Sequence, residues 1–252
     1  MREYTLRYTK MGLIYIGPED DCDFVIDAML ASGYSEEFCI ALDWDPLFIT
    51  RLMKAGFLVM SETIKGVDEE GSTYNRDIVF PRLHMSRSAL FFKNLHVKRS
   101  IKPYLSRYNL RFDTDFSTIM DKCLKIYGVG WLTPSLVETL FILRPDHLLH
   151  KWSGKPVLMP VEFPLPVSFS LYRNEKLVAG EFGVICGRVY TSYSGYREEK
   201  NAGTVQMILM IRALEEAGFD FFDFGMPLDY KTDLGAMNIT PKEFVFRFRA
   251  AQ

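Results

Sequence analysis

The chain has no apolar run of the roughly 18 to 20 residues that a membrane-spanning helix requires. Its 252 residues include only four cysteines and four histidines. The cysteines form no CxxC pair, and neither His84 nor His96 has a second His, Cys or Asp at metal-ligand spacing. We therefore expect no membrane span and no bound metal. The N-terminus also lacks the pattern of a cleavable signal peptide, so we expect a cytoplasmic protein with reduced thiols.

A protein kinase is excluded by motifs that are missing. Residues 223–225 (DFG) match the magnesium-binding tripeptide of kinases. The chain has no glycine-rich GxGxxG loop, no strand lysine and no HRD catalytic loop upstream of it. The carboxylate of Asp223, at the end of an aromatic segment, therefore needs another explanation.

The small net charge of −2 hides an uneven distribution of charged residues. Residues 11–50 contain nine acids and no Lys or Arg, whereas residues 81–111 contain eight Lys or Arg and no acid. A basic block of this kind is typical of a surface that binds a polyanion. A solvated basic face that pairs with the acidic segment of the same fold is the alternative. The residues of this block that we expect to contact tRNA are Arg82, Arg87, Lys93, Lys98, Arg99 and Lys102.

Capping residues, helix-favouring prolines and terminal glycines predict four helices. They lie at residues 45–60, 112–128, 134–144 and 204–218. The polar, glycine-containing residues 62–77 predict an exposed turn or hairpin tip. We place a domain boundary there, which gives a small N-terminal domain (1–80) and a larger second domain (81–252).

The second half of the chain has the pattern of a sheet. Residues 167–196 predict three strands, and residues 219–225 predict another. Residues 243–250 predict a final strand, because phenylalanine alternates there with arginine. Residues 145–166 hold five prolines and predict an irregular excursion. Together, these elements predict a mixed α/β fold in which helices pack on a sheet.

Several motifs resemble those of the leucyl/phenylalanyl-tRNA–protein transferases. The resemblance covers most of the chain except residues 145–166. The spacing of twelve residues between Asp223 and Gly235 is also the same as in the family. The similar segments are 42–60, 83–88 (LHMSRS), 130–132 (GWL), 178–187 (VAGEFGVICG), 191–204, 222–225 (FDFG) and 233–236 (DLGA).

The resemblance implies a fold, an activity and partners. The fold would be a GCN5-related N-acetyltransferase-like (GNAT-like) domain preceded by a small N-terminal domain. The activity would be transfer of leucine, phenylalanine or methionine from its tRNA to a protein N-terminus that begins with arginine or lysine, which marks that protein for degradation. The partners would be aminoacyl-tRNA, as donor substrate, and the acceptor protein or peptide, with no cofactor.

The resemblance also implies roles for individual residues. Asp223 would be the catalytic residue, orienting the acceptor amine and accepting its proton, although an aspartate at a strand end is often a simple turn former. Trp131 would stack on the terminal adenosine of the tRNA, or would be ordinary core. The residues expected to bind the transferred amino acid are Tyr190, Tyr193, Ser194, Gly195, Tyr196, Phe222 and Gly225.

The sequence departs from the family pattern at the implied active site. Gly225 stands where the family has glutamine, and Tyr193 where it has glutamate. Gly195 and Tyr196 replace methionine and phenylalanine, and a WWSP element before the LHMSRS motif is missing. Three hypotheses therefore stay open: a divergent aminoacyltransferase, an acyl-CoA-dependent N-acyltransferase, and a non-catalytic relative that binds tRNA or peptide.

Overall fold

The computed structural model describes residues 5–67, 71–144 and 157–252. Among these residues the strands are β1 (Arg7–Tyr8), β2 (Ile14–Tyr15), β3 (Leu58–Val67), β4 (Thr73–Arg82), β5 (Arg87–Leu90), β6 (Asn109–Phe112), β7 (Val161–Arg173), β8 (Lys176–Gly187), β9 (Val189–Arg197), β10 (Phe221–Gly225) and β11 (Met237–Ile239). The α-helices are α1 (Cys22–Ser32), α2 (Pro46–Ala55), α3 (Phe116–Tyr127), α4 (Pro134–Ile142), α5 (Ala202–Glu216), α6 (Asp229–Asp233) and α7 (Pro241–Ala250). None of the helices in these residues is long and apolar enough to cross a membrane.

The centre of the fold is a seven-stranded sheet of order β11-β5-β10-β9-β8-β7-β6. β9 and β10 are parallel, and the other neighbouring strands are antiparallel. The predicted mixed α/β architecture is therefore confirmed, as are the three strands within residues 167–196.

Two further pairs, β1–β2 and the long hairpin β3–β4, lie outside the central sheet. One hydrophobic core joins this N-terminal part to the sheet, and it contains Phe48 of α2, Phe182 of β8 and Phe244 of α7. The position chosen for the domain boundary falls inside β4. The division into two domains stays a prediction.

Local capping determines where the predicted helices begin and end. Asp45 accepts a hydrogen bond from the amide of Phe48, and Pro46 occupies the first turn of α2. Gly56, with φ of 108°, takes the left-handed conformation that ends this helix. The strand β3 begins two residues later, so α2 is shorter than the sequence predicted.

The strand predicted at residues 243–250 is wrong, because this segment forms α7. Thr240 caps the helix by accepting from the amide of Glu243, and Pro241 follows at the first position. The buried residues are Phe244, Val245 and Phe248, which is helical spacing rather than alternation. The start signals of a helix therefore prevail over the alternating Phe and Arg residues.

The predicted irregular segment 145–166 is only partly within the described residues, because 145–156 lie outside them. Residues 157–160 belong to no helix or strand, as predicted, whereas residues 161–166 form the first part of β7, which corrects the prediction for them. The pairing of this part with β8 shifts in register between Val161 and Leu165. β6 pairs with β7 only from Phe169 to Tyr172. The early part of β7 thus has no strand on that side within the described residues, and Pro164 and Pro166 are tolerated there.

Candidate functional site

A cavity of about 940 Å³ opens where β9 and β10 separate. Their pairing covers only Phe221–Asp223 against Val189–Thr191. β9 continues to Arg197, whereas the chain turns away after Gly225 into α6. The cavity is lined by Glu37, Leu58, Met60, Arg82, His84, Met85, Ser86, Ile126, Tyr127, Trp131, Gly180, Glu181, Ser192, Tyr193, Ser194, Gly195, Tyr196, Arg197, Gly203, Gln206, Met207, Phe224, Gly225, Met226, Pro227, Leu228, Tyr230 and Lys231.

One wall of the cavity is fixed by a bulge in β9. Phe182 pairs with Ser194 and Gly183 with Ser192, which leaves Tyr193 without an opposite residue on β8. The Tyr193 hydroxyl accepts a hydrogen bond of 3.2 Å from the amide of Val59 in β3. Burial raises the pKa of Tyr193, so this side chain stays neutral. It is therefore a polar but uncharged part of the wall.

Trp131 lies beside this bulge. Its ring stacks on Phe182 with centroids 6.5 Å apart and is tilted against Tyr193 at 6.2 Å. Its carbonyl accepts from the Ser61 hydroxyl at 2.8 Å and the Ser61 amide at 3.1 Å. Trp131 thus belongs to both the core and the cavity wall.

Asp223 lies behind the cavity wall and is fully buried. Its two oxygens accept from Arg87 Nε at 2.8 Å and Arg87 Nη2 at 2.6 Å. The Thr191 hydroxyl and the Gly225 amide each donate to it at 2.9 Å. Burial by itself would raise the pKa of Asp223, but the charge and hydrogen bonds of Arg87, with the Gly225 and Thr191 bonds, lower it. A carboxylate with four donors and a low pKa is a good anchor and a weak base.

Arg87 is as deeply placed as its partner, with 1% of its surface exposed. Its guanidinium carbon lies 4.2 Å from the centroid of the Phe244 ring. A charge in this position is not available to a polyanion at the surface, which corrects the expectation that Arg87 belongs to the basic face. The motif LHMSRS therefore supplies the cation that neutralises Asp223.

Gly225 ends β10 with φ of 70°, a backbone conformation that favours glycine. The carbonyls on either side of it, those of Phe224 and Met226, accept from Lys231 Nζ at 2.7 and 2.6 Å. Lys231 is almost fully buried, and burial lowers its pKa to about 8. This lysine of α6 therefore holds the turn that forms the second wall of the cavity.

Glu181 is a cavity residue that sequence reasoning missed. It lies on β8 opposite Gly195 and is 8% exposed. The Tyr190 hydroxyl donates to its Oε1 at 3.3 Å, and burial raises the pKa of Glu181 to about 7. The signal was present, since this is the only charged residue in the otherwise apolar segment 178–187.

The predicted substrate-binding residues separate into two groups. Tyr190 and Phe222 are fully buried, and their rings meet edge to face at 5.0 Å. They pack behind the wall, which corrects the expectation that they line it. The residues that the structure does bring together around the cavity are Tyr193, Ser194, Gly195, Tyr196 and Gly225.

A family model described as leucyl/phenylalanyl-tRNA protein transferase matches residues 89–249. The chain belongs to this family. It is 31% identical over 163 residues to the leucyl/phenylalanyl-tRNA–protein transferase of Pseudomonas putida (strain W619), a match that covers 63% of this chain and 65% of that protein. It is 24% identical over 202 residues to the enzyme of the same name from Campylobacter jejuni (strain RM1221), with 79% and 82% covered. The match to the Pseudomonas protein thus spans slightly less than two thirds of its length.

Solved structures give weaker similarities. The C-terminal domain of a putative lysylphosphatidylglycerol synthetase from Agrobacterium fabrum matches with a TM-score of 0.40 and 11% identity, covering 88% of this chain and 70% of that one. L-PGS from Bacillus licheniformis matches with a TM-score of 0.43 and 10% identity, covering 98% and 88%. At these TM-scores the similarities support no conclusion about fold or function.

His84 lines the cavity on the side of the β3–β4 hairpin. Its Nδ1 lies 3.2 Å from Glu37 Oε2, and its φ is 54°. Burial and the charge of Arg87 lower the pKa of His84 below its usual value, against the raising effect of Glu37. Arg82 lies on the same side and lines the cavity. The neighbouring basic residues that are exposed are Lys93, Lys98, Arg99 and Lys102.

No described group of three or more His, Cys, Asp or Glu side chains has the arrangement of a metal site. The four cysteines are free and buried. Burial raises the pKa of each thiol; for Cys123 it reaches about 11, despite a hydrogen bond with Ser194. They are therefore thiols rather than thiolates near neutral pH.

Proposed function

We propose that this chain is an aminoacyltransferase that moves an amino acid from aminoacyl-tRNA to the N-terminal α-amine of an acceptor protein. The observation that carries the proposal is the cavity between β9 and β10. The segments that correspond to the family's motifs, around Trp131, Tyr193–Tyr196 and Gly225, meet at its walls. Its volume of about 940 Å³ is in the range of ligand pockets. The product would be an acceptor tagged for degradation.

The finer fold assignment is part of this proposal. The strands β9 and β10 are parallel neighbours that separate at one end, and α5 connects them. This arrangement is compatible with a GNAT-like domain. We assign residues 81–252 to that domain and residues 1–80 to a small N-terminal domain. Residues of β3 and of the segment before β5 line the cavity, so both proposed domains would contribute to it.

The chemistry of the proposed reaction is aminolysis of an ester. The aminoacyl ester is already activated, so holding the two substrates in line supplies much of the rate. Asp223 was expected to contact the amine, but four donors already occupy its carboxylate behind the wall. We propose that it acts by positioning: it anchors Arg87 and the amide of Gly225, which sets the turn at the end of β10. Two carboxylates line the cavity, and Glu181 is the one without an ion-pair partner among the described residues, because Glu37 contacts His84.

The donor substrate would reach the cavity from the basic segment. Arg82 lines the cavity, and Lys93, Lys98, Arg99 and Lys102 are exposed. Contacts of such residues with phosphates release counterions, so tRNA binding would weaken steeply as salt increases. The proposed tRNA substrate also supports the proposal of a cytoplasmic location.

The altered wall implies an altered preference for the transferred amino acid. Tyr196 and Gly195 replace the family's phenylalanine and methionine, and the Tyr193 hydroxyl replaces its glutamate. The hydroxyl of Tyr196 is buried without a hydrogen-bond partner within the described residues. The pocket would therefore be more polar than in the family at position 196, would lack the family's charge at position 193, and would differ in shape.

The test is a transfer assay with radiolabelled Leu-, Phe-, Met- and Tyr-tRNA and reporter peptides that differ in their first residue. An N-acetylated copy of each peptide is the matched control, because it lacks the reacting amine. Acetyl-CoA in a parallel reaction tests the acyl-CoA-dependent alternative. That alternative is favoured by Gly203, which lies at the start of α5 and in the cavity wall. If no tRNA transfers its label to a free amine but the protein still retains tRNA on a filter, the result would instead support the non-catalytic relative that only binds.

A further inference from the structure

Glu181 is a carboxylate in the cavity wall without an ion-pair partner among the described residues. The groups that act on it are the hydrogen bonds of Ser192 and Tyr190 and the more distant charge of Lys231. The ammonium of Lys231 is itself bonded to the carbonyls of Phe224 and Met226. The carboxylate is therefore held in place by neutral donors, and its charge is left for a ligand.

The position beside Glu181 on the neighbouring strand β9 is occupied by a glycine. This cross-strand partner is Gly195, where an added Cβ would lie 3.3 Å from the Glu181 Cβ and 3.0 Å from the Gly180 carbonyl oxygen. A larger residue at this position would crowd the base of the Glu181 side chain and the Gly180 carbonyl. The cavity extends from here to Met226, Leu228 and Tyr230, which are partly exposed apolar residues at its mouth.

The other acids near the cavity are engaged. Glu37 also lines it, but its carboxylate contacts His84 Nδ1 and the amide of Met85. Asp223 lies behind the wall and is paired with Arg87. Of the described carboxylates at this site, Glu181 is the one positioned to receive a cationic ligand.

We propose that Glu181 binds the primary α-amine of the acceptor peptide and takes its proton before aminoacyl transfer, an inference that rests on the proposed transferase function. The acceptor enters as an ammonium ion, R-NH₃⁺, and forms a charge-assisted hydrogen bond with the carboxylate. One proton passes from nitrogen to Glu181, which leaves the neutral amine and a carboxylic acid.

The remaining step balances without a further reactant. The amine lone pair forms a bond to the aminoacyl carbonyl carbon, and the bond from that carbon to the ribose oxygen breaks. The leaving oxygen takes the second proton of the attacking nitrogen, which gives the tRNA hydroxyl and a new peptide bond. Glu181 then releases its proton to solvent and is ready for the next acceptor.

Glu181 is suited to this exchange near neutral pH. Burial raises its pKa to about 7, which the Ser192 and Tyr190 hydrogen bonds and the charge of Lys231 only partly oppose. A bound ammonium ion would lower that pKa, so binding would expel a proton from the protein. The titratable groups that interact with Glu181 from the surrounding elements are Cys123 on α3, Tyr190 on β9, and Tyr230 and Lys231 on α6.

The first test is calorimetric binding of a reporter peptide to the parent protein in two buffers of different ionisation enthalpy. We expect the peptide with a free N-terminus to bind about 10-fold or more tightly than its N-acetylated copy. At pH 7 we expect release of up to about half a proton per free-amine peptide bound. A parent protein that binds both peptides alike would overturn the inference, and this result needs no variant.

The second test compares Glu181→Gln with Glu243→Gln, an exposed change on α7 away from the cavity. Glu181→Gln should abolish the proton release and the preference for the free amine. It should also lower kcat/KM for the acceptor by about 10²-fold and remove its rise through pH 7, whereas the control variant should retain all of these.

The outcomes for Glu181 and for the transferase proposal are separable. Transfer by Glu181→Gln with the parental pH profile would overturn the inference and leave the transferase proposal intact. Amine-dependent binding that Glu181→Gln abolishes, without transfer from any tRNA, would support the amine site and refute the transferase proposal.

Discussion

Replacing Asp223 with asparagine should destabilise the protein through its partner. Arg87 and Asp223 are at most 1% exposed and are joined by two bonds of 2.8 and 2.6 Å. Asp223→Asn would leave the guanidinium buried without its counter-charge, which costs about 3 to 5 kcal/mol of unfolding free energy. The exposed pair of Arg188 and Asp220 offers a matched control. Asp220→Asn should cost at most about 1 kcal/mol.

A double-mutant cycle with Arg87→Met separates the ion pair from other effects of the change. The double variant removes both charges, so it should be more stable than the sum of the single changes by about 2 to 3 kcal/mol. Urea unfolding followed by tryptophan fluorescence supplies the four free energies. If Asp223→Asn is no more destabilising than Asp220→Asn, Asp223 does not anchor Arg87 and the reasoning fails.

Transfer activity of the double variant then tests the role of Asp223 in the reaction. A positioning residue allows measurable transfer under conditions where the unfolding curves show that the double variant is folded. A stable double variant whose transfer is slower by about 10²-fold or more, with unchanged tRNA binding, would instead assign proton transfer to Asp223.

Three further predictions concern the turn, the buried acid and the basic segment. Gly225→Ala should lower stability by about 1 to 2 kcal/mol in thermal unfolding, because φ is 70° there, although the nearest described atom, Leu58 Cδ2, would lie at an ordinary contact distance of 3.4 Å from the added methyl group. Folding favours the protonated form of Glu181, because its pKa rises from 4.5 to about 7. Glu181 therefore contributes about 3 kcal/mol to the free energy of unfolding below pH 4.5, and this contribution is lost as the pH rises through 7. Unfolding free energies measured between pH 4.5 and pH 7 should lose this dependence on pH in Glu181→Gln. Lys98 forms an exposed ion pair with Asp233, so replacing Lys98, Arg99 and Lys102 with serine should change stability by at most about 1 kcal/mol. The same change should reduce the salt dependence of tRNA binding measured by filter titration.

Signals within a few residues of each other allowed much of the secondary structure to be predicted. The Asp45–Pro46 pair and Gly56 determine the ends of α2 through local hydrogen bonds and backbone conformation. The same kind of signal occurs at Thr240 and Pro241, where it starts α7 despite the alternation of Phe and Arg that follows. The alternation does not mark the buried face of a strand, because Phe248 is buried whereas Phe246 is 75% exposed.

The active-site interpretation was limited by contacts between distant parts of the chain. Arg87 and Asp223 are separated by 136 positions and meet only because β5 pairs with β10. The motif match identified Asp223 but not the cation that saturates it. Glu181 stands out locally as the charged residue of segment 178–187, but its access to the cavity depends on the separation of β9 from β10, which no local pattern encodes.

The hydrogen bond from the Val59 amide to the Tyr193 hydroxyl joins residues 134 positions apart. Because the two segments meet only when hairpin and sheet have docked, this wall is completed late in folding, after the local helices and hairpins can form. The Val59 amide should therefore exchange its hydrogen at a rate set by opening of that docked state rather than by fraying of β3 alone. Ligand binding in the cavity would slow the exchange, so a single amide in the N-terminal hairpin reports occupancy of a site formed largely by the sheet.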